Sequence, residues 1–186
     1  PLRLALCFPI TTCPLEGARV PTILIADDAP ENLALLSDLL QPHYQVRAAN
    51  SGRRALQVAV SDPQPDLILL DVMMPELNGY EVITQLQADP RTAAIPVIFV
   101  TSLEQSADEE HGLALGAVDY IAKPIQPVVV LARVKTHLEL KAARDALQDR
   151  NLGLENEVAR RMKENLLIQE VSIRALAHLA EIRDPE

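Results

Sequence analysis

The chain has 186 residues, 48% of them hydrophobic and 3% aromatic, and its 26 acidic side chains outnumber 17 basic ones for a formal net charge of −9. That surplus argues against direct binding to nucleic acid or to an anionic membrane, because both need clustered Lys and Arg. No run of about 18 apolar residues is present to span a bilayer, so a cytoplasmic location is expected.

The length exceeds the needs of one small α/β domain, and the pattern along the chain favours one compact domain followed by an extended element. Residues 1–20 hold the only two cysteines, Cys7 and Cys13, in a proline-interrupted segment with neither helical nor strand period. We read it as a poorly ordered extension with two idle thiols, in preference to a small disulfide, half a metal site or a secretory signal.

From Pro21 strand and helix alternate. Thr22–Ala26 is wholly apolar and ends in two acids, the signature of a strand buried on both faces of a parallel sheet. Pro30 opens a helix whose Leu33, Leu36, Leu39 and Leu40 form one apolar face. Tyr44–Ala48 is the second strand, Gly52–Val60 the second helix, and Asp66–Leu70 a third strand that ends at Asp71. A helix over Tyr80–Ala88, a strand over Pro96–Val100 ending at Thr101, and a helix over Glu104–Leu115 stopped by Gly116 follow. Val118–Ala122 is the fifth strand, ending at Lys123-Pro124. Parallel neighbours need crossovers, so the expected fold is α/β, a doubly wound five-stranded parallel sheet over residues 21–137.

Ligands of such sheets gather at the carboxyl ends of the strands. Here those ends carry Asp27-Asp28, Asp71, Thr101 and Lys123. Three carboxylates in one cleft repel one another and call for a cation; with oxygen ligands only, Mg²⁺ suits them best. Asp71, expected on the central strand, is the candidate nucleophile, since an aspartate can take a phosphoryl group as an acyl phosphate. Metal, the Lys123 ammonium and the Thr101 hydroxyl would then neutralise the equatorial oxygens.

Ile25-Ala-Asp-Asp28, Asp71-Val-Met-Met-Pro75 with Gly79, Val100-Thr-Ser102 and Tyr120-Ile-Ala-Lys-Pro124 together resemble the receiver (CheY-like) family of response regulators, over roughly Pro21 to His137. The resemblance implies Asp71 as phosphoacceptor, Mg²⁺ held by Asp27, Asp28, Asp71 and the Met73 backbone carbonyl, and Lys123 on the phosphoryl group. It also implies Thr101 and Tyr120 as coupled switch residues, and a sensor histidine kinase or phosphotransfer protein as donor. A haloacid-dehalogenase-type phosphatase would carry a second acid two residues after the nucleophile; that position is Met73, so a persistent acyl phosphate is expected instead of turnover.

Residues 138–186 are expected to continue the last helix as a coiled-coil linker. Between Val128 and Ile182 there is no proline and only Gly153. Leu140, Leu147 and Leu154 recur at seven-residue spacing, with Arg144, Asn151 and Val158 at the intervening seam positions. After Val158 the stripe slips by one position to Met162, Leu166 and Ile173, which locally changes the supercoil. A homodimer through this helix is expected. The ending, Ile173 to Glu186, resembles the entry to the HD-GYP domain of cyclic-di-GMP phosphodiesterases, which implies an output domain beyond it; a receiver-only adaptor is the alternative.

Overall fold

The structure is a computed structural model and describes residues 19–102 and 112–182. The cysteine-bearing extension up to residue 18 and the body of the predicted fourth helix lie outside the described residues; residues 112–114 are helical.

Strands β1 (Thr22–Ala26), β2 (Gln45–Ala49), β3 (Leu67–Asp71), β4 (Val97–Thr101) and β5 (Asp119–Ala122) form one sheet. Its order is β2-β1-β3-β4-β5, and every pairing is parallel. Helices α1 (Pro30–Leu40), α2 (Gly52–Ala59) and α3 (Gly79–Ala88) make the first crossovers. The predicted fold is the one observed. Two strand ends differ usefully from expectation: Asp71 and Thr101 are the last residues of their strands rather than the first beyond them. The ladder reaches them because Asp71 pairs with Val100 and Thr101 with Ala122.

The unbroken apolar character of β1, β3 and β4 follows from burial on both faces. Alternate residues go to opposite sides. Leu24, Ile68, Leu70, Val97 and Phe99 face a core shared with α2 and α3. Ile23, Ile25, Leu67, Leu69, Ile98 and Ile121 face a second core, closed by Leu36 and Leu40 of α1 and by Val130 and Val134. At about 1.5–3 kcal/mol for each fully buried large aliphatic side chain, these two layers fix the sheet and hence the positions of its strand ends.

Local signals set the crossovers. Pro30 starts α1 at the first helical position. Asn78 caps α3 by accepting from the Glu81 amide while the Glu81 carboxylate accepts from the Asn78 amide, a reciprocal capping box. Gly79, the next residue, has no room for a side chain: a Cβ there would stand 2.4 Å from the Asp71 carbonyl oxygen and 2.8 Å from the Val72 Cα. This close approach brings the loop after β3 back to α3 and ties the backbone of Asp71 to the helix.

The last helix runs unbroken from Pro127 to Ile182. Contacts divide the chain into one unit up to Leu138 and a second from Glu139 onward. On the second unit Leu140, Leu147, Leu154 and Val158 are all more than half exposed. Among the described residues no helix is long and apolar enough to cross a membrane.

Candidate functional site

The reversal of strand order lies between β1 and β3, where open α/β sheets bind their ligands. Ala26 pairs with Leu70, so the next residues, Asp27 and Asp71, stand side by side just past the last β1–β3 pair. One carboxylate oxygen each from Asp27, Asp28 and Asp71 lies within 4.8 Å of the others. Asp27 is 1% exposed and Asp71 4%, whereas Asp28 is exposed.

Lys123, one residue past β5, reaches across this gap. Its Nζ donates to Asp71 Oδ2 at 2.8 Å and to Asp27 Oδ2 at 3.0 Å. Burial works against the Lys123 ammonium, but the hydrogen bonds to the two carboxylates outweigh it and its pKa is raised. Asp71 is pushed up: burial is the largest cause, opposed by the hydrogen bond and charge of Lys123 and reinforced by the charge of Asp27. Three carboxylates against one ammonium leave a formal surplus of two negative charges, the charge of one divalent cation. The donor set is all oxygen, with one exposed acid and two buried ones; it fits a hard cation such as Mg²⁺ and would not suit a thiophilic metal.

Thr101 is 5% exposed at the end of β4, between the strands that present Asp71 and Lys123. The Met73 amide donates to Asp71 Oδ1 at 3.3 Å, so the backbone just after the acid turns toward it, while the Met73 side chain is exposed. Tyr120 is half-buried and packs against the core shared by α2 and α3. The structure therefore brings Asp27, Asp28, Asp71 and Lys123 together and places Thr101 and Tyr120 on the two strands beside them.

Two features escaped the sequence reading. The first is Asn32, on the first turns of α1, whose Nδ2 donates to both oxygens of Asp27 at 3.0 and 2.9 Å; the Ala29 amide adds a third bond at 2.9 Å. Asp27 is thereby held from one side by α1 and from the other by Lys123. The available signal was the five-residue step from a strand-end acid to an amide on the following helix.

The second is a group at the other end of β5. Asp119 accepts from Arg133 and lies 3.1 Å from His137 Nε2. The Arg133 guanidinium sits 5.7 Å from the centre of the Tyr120 ring, within cation–π range. Burial opposes the Asp119 charge, yet the bonds from Arg133, the Tyr120 amide and His137 together hold its carboxyl below the usual range. Arg133 and His137 are four residues apart and so share a helix face; that basic pair was the legible sign.

A parallel sheet of this order with an acid cleft at its reversal point is a doubly wound α/β fold whose crevice lies at the strand ends. The profile of the response regulator receiver domain matches residues 23–135, more than half of the chain, and the chain belongs to that family: it carries a receiver of two-component signal transduction. It is 48% identical over 172 residues to a probable cyclic di-GMP phosphodiesterase of Vibrio cholerae, a match covering 92% of this chain and 39% of that protein. It is 42% identical over 129 residues to the response regulator PleD of Caulobacter vibrioides, covering 69% of this chain and 28% of that one. The chain thus spans well under half the length of either relative. Among solved structures, the chemotaxis protein CheY4 of Vibrio cholerae superposes with a TM-score of 0.60 at 27% identity, over 63% of this chain and 98% of that one.

Proposed function

We propose that Asp71 accepts a phosphoryl group from a sensor histidine kinase or a phosphotransfer protein in the cytoplasm, with Mg²⁺ held by Asp27, Asp28, Asp71 and the Met73 carbonyl. The single observation that carries this reading is the buried Asp71 carboxylate, bridged by Lys123 to Asp27 and grouped with Asp28. An Asp71 oxygen attacks phosphorus, the bond from phosphorus to the donor's imidazole nitrogen breaks, and the histidine leaves. Burial raises the Asp71 pKa in the metal-free site, and a bound divalent cation would offset that and keep the carboxylate ionised for attack. Bound Mg²⁺ supplies neutralising charge at the transferred group's oxygens.

Lys123 already donates to Asp71 and is within reach of a phosphoryl oxygen attached there; the Thr101 hydroxyl serves another. Engagement of Thr101 frees space into which Tyr120 turns, and Arg133, stacked on Tyr120 and paired with Asp119 on the same strand, feels that turn. The helix beyond Glu139 pairs with a second copy of itself and carries the change to an output domain. The relative named as a probable cyclic di-GMP phosphodiesterase, matched over 92% of this chain, favours that activity as the output.

The test is intact-mass spectrometry after incubation with Mg²⁺ and acetyl phosphate. Wild type gains the mass of one phosphoryl group; the gain disappears in Asp71→Asn and on chelation of Mg²⁺. An adduct that survives Asp71→Asn would place the chemistry on another residue and sink the assignment.

A further inference from the structure

The seam of the second unit presents Leu147 at 65%, Leu154 at 54% and Val158 at 56% exposure, with the exposed Asn151 inside the same stripe. A lone helix gains nothing by holding such a stripe in water. Charges beside it suggest what covers it. Ion pairs on this stretch include Lys141–Asp145, Arg144–Asp145, Arg160–Glu164 and Arg161–Glu157.

Arg150 and Glu155, which border the seam on either side of the Asn151 layer, belong to none of them. Three and four residues away Arg150 meets Ala146, Leu147, Gly153 and Leu154, while Glu155 meets Asn151, Leu152, Val158 and Ala159. Neither has an opposite charge three or four residues away along its own helix.

Resting on the dimer reading above, we infer that the occupant is the same helix of a second copy, lying parallel and in register. Arg150 of each chain then meets Glu155 of the other, because flanking positions five residues apart face each other across a parallel two-stranded seam. The two-fold axis makes that pair twice. Asn151 faces Asn151, where each amide can donate to the other; a buried Asn layer of this kind favours two parallel strands.

The antiparallel alternative sets Asn151 against Leu154 and Leu147 against Val158. It strands the Asn151 amide in an apolar layer, at a cost in unmade hydrogen bonds. It also points Arg150 at Glu157, which Arg161 already holds at 2.6 Å. The Arg150–Glu155 pairing and the Asn151 layer therefore agree on the parallel form.

The experiment uses the full chain with Cys7→Ser and Cys13→Ser. Under a mild thiol redox buffer, Leu147→Cys gives a disulfide-linked homodimer, and mixed Leu147→Cys and Val158→Cys chains give mostly the two homodimers. A dominant mixed disulfide overturns the parallel register while leaving dimerisation standing. Sedimentation that shows only monomer, both with and without Mg²⁺ and acetyl phosphate, overturns the dimer reading itself. Arg150→Glu raises the dimer dissociation constant roughly tenfold, through two repulsive pairs in place of two attractive ones. Arg150→Glu with Glu155→Arg brings it back to near wild type, and failure of that rescue removes the Arg150–Glu155 pairing.

Discussion

The two units use the same residue types to opposite ends. Up to Leu138 most of the described large aliphatic side chains lie in two cores, and Ile23, Leu24, Leu67, Leu69 and Ile98 have no exposure at all. From Glu139 onward the leucines recur just as regularly, yet Leu140, Leu147, Leu154 and Leu166 are each more than half exposed. Period explains the difference. A period near two with crossovers lets a chain bury both faces against itself, whereas a seven-residue repeat buries its stripe only against another helix. Within the single chain the first unit covers the aliphatic side chains of its sheet, and the second leaves its leucine stripe in solvent.

The sharpest way to break that contrast is one truncation in each unit. Leu69→Ala empties a site with no exposure between α1 and the sheet, and a loss of about 2–5 kcal/mol is expected from removed burial plus the residual cavity. Leu147→Ala removes a side chain that is 65% exposed in the single chain, so the denaturation midpoint of the receiver holds while association weakens. Chemical denaturation with sedimentation on the same two variants checks this. Equal losses of receiver stability would mean that the helix is integral to the first unit's core.

What could be read in advance divides along physical lines. Strand ends were legible because Asp27-Asp28, Asp71, Thr101 and Lys123 each follow an apolar run, and run order in a doubly wound fold fixes which ends are neighbours. The role of Gly79 was not: its need for a missing side chain arises from the path of the Asp71 backbone, which sequence spacing does not encode. Asn32 was passed over because a polar residue early in an amphipathic helix has no distinctive pattern; only the phase of α1 relative to β1 turns its amide onto Asp27. Asp119 with Arg133 and His137 was missed for a similar reason, since the partners come from different elements 14 and 18 positions apart.

A smaller effect sharpens the contrast within the first unit, between its apolar layers and its charged cleft. Asn32→Ala removes the donor that contacts both oxygens of Asp27, a carboxylate only 1% exposed. Lys123 and the Ala29 amide still bind it, so the expected loss is about 1 kcal/mol, at the lower end for an unsatisfied buried group. Because Asp27 is then held by two donors instead of three, the Mg²⁺ concentration needed for half-maximal phosphorylation of Asp71 by acetyl phosphate should rise several-fold with little change in the saturated rate. A fall in the saturated rate at unchanged Mg²⁺ requirement would give Asn32 a different role.

The last expectation concerns charge, where the receiver gives up stability to keep its site. Burial, reinforced by the charge of Asp27, lifts the Asp71 pKa in spite of Lys123. A group whose folded pKa lies above its unfolded value contributes stability that is complete below the unfolded pKa and fades as pH rises through the folded one. At neutral pH, without metal, ionised Asp71 therefore weakens the fold relative to a neutral side chain of the same shape. The raised pKa of Lys123 acts in the opposite sense, but its contribution is lost only in alkaline solution. Asp71→Asn should thus melt at a higher temperature than wild type in chelator at neutral pH. The gap should close as pH falls below the folded pKa of Asp71, and added Mg²⁺ should narrow it from the other side by stabilising wild type more than the variant. A lower midpoint for Asp71→Asn at neutral pH would mean that the Lys123 bridge outweighs burial, and that the cleft is a stabilising ion network before it is a site.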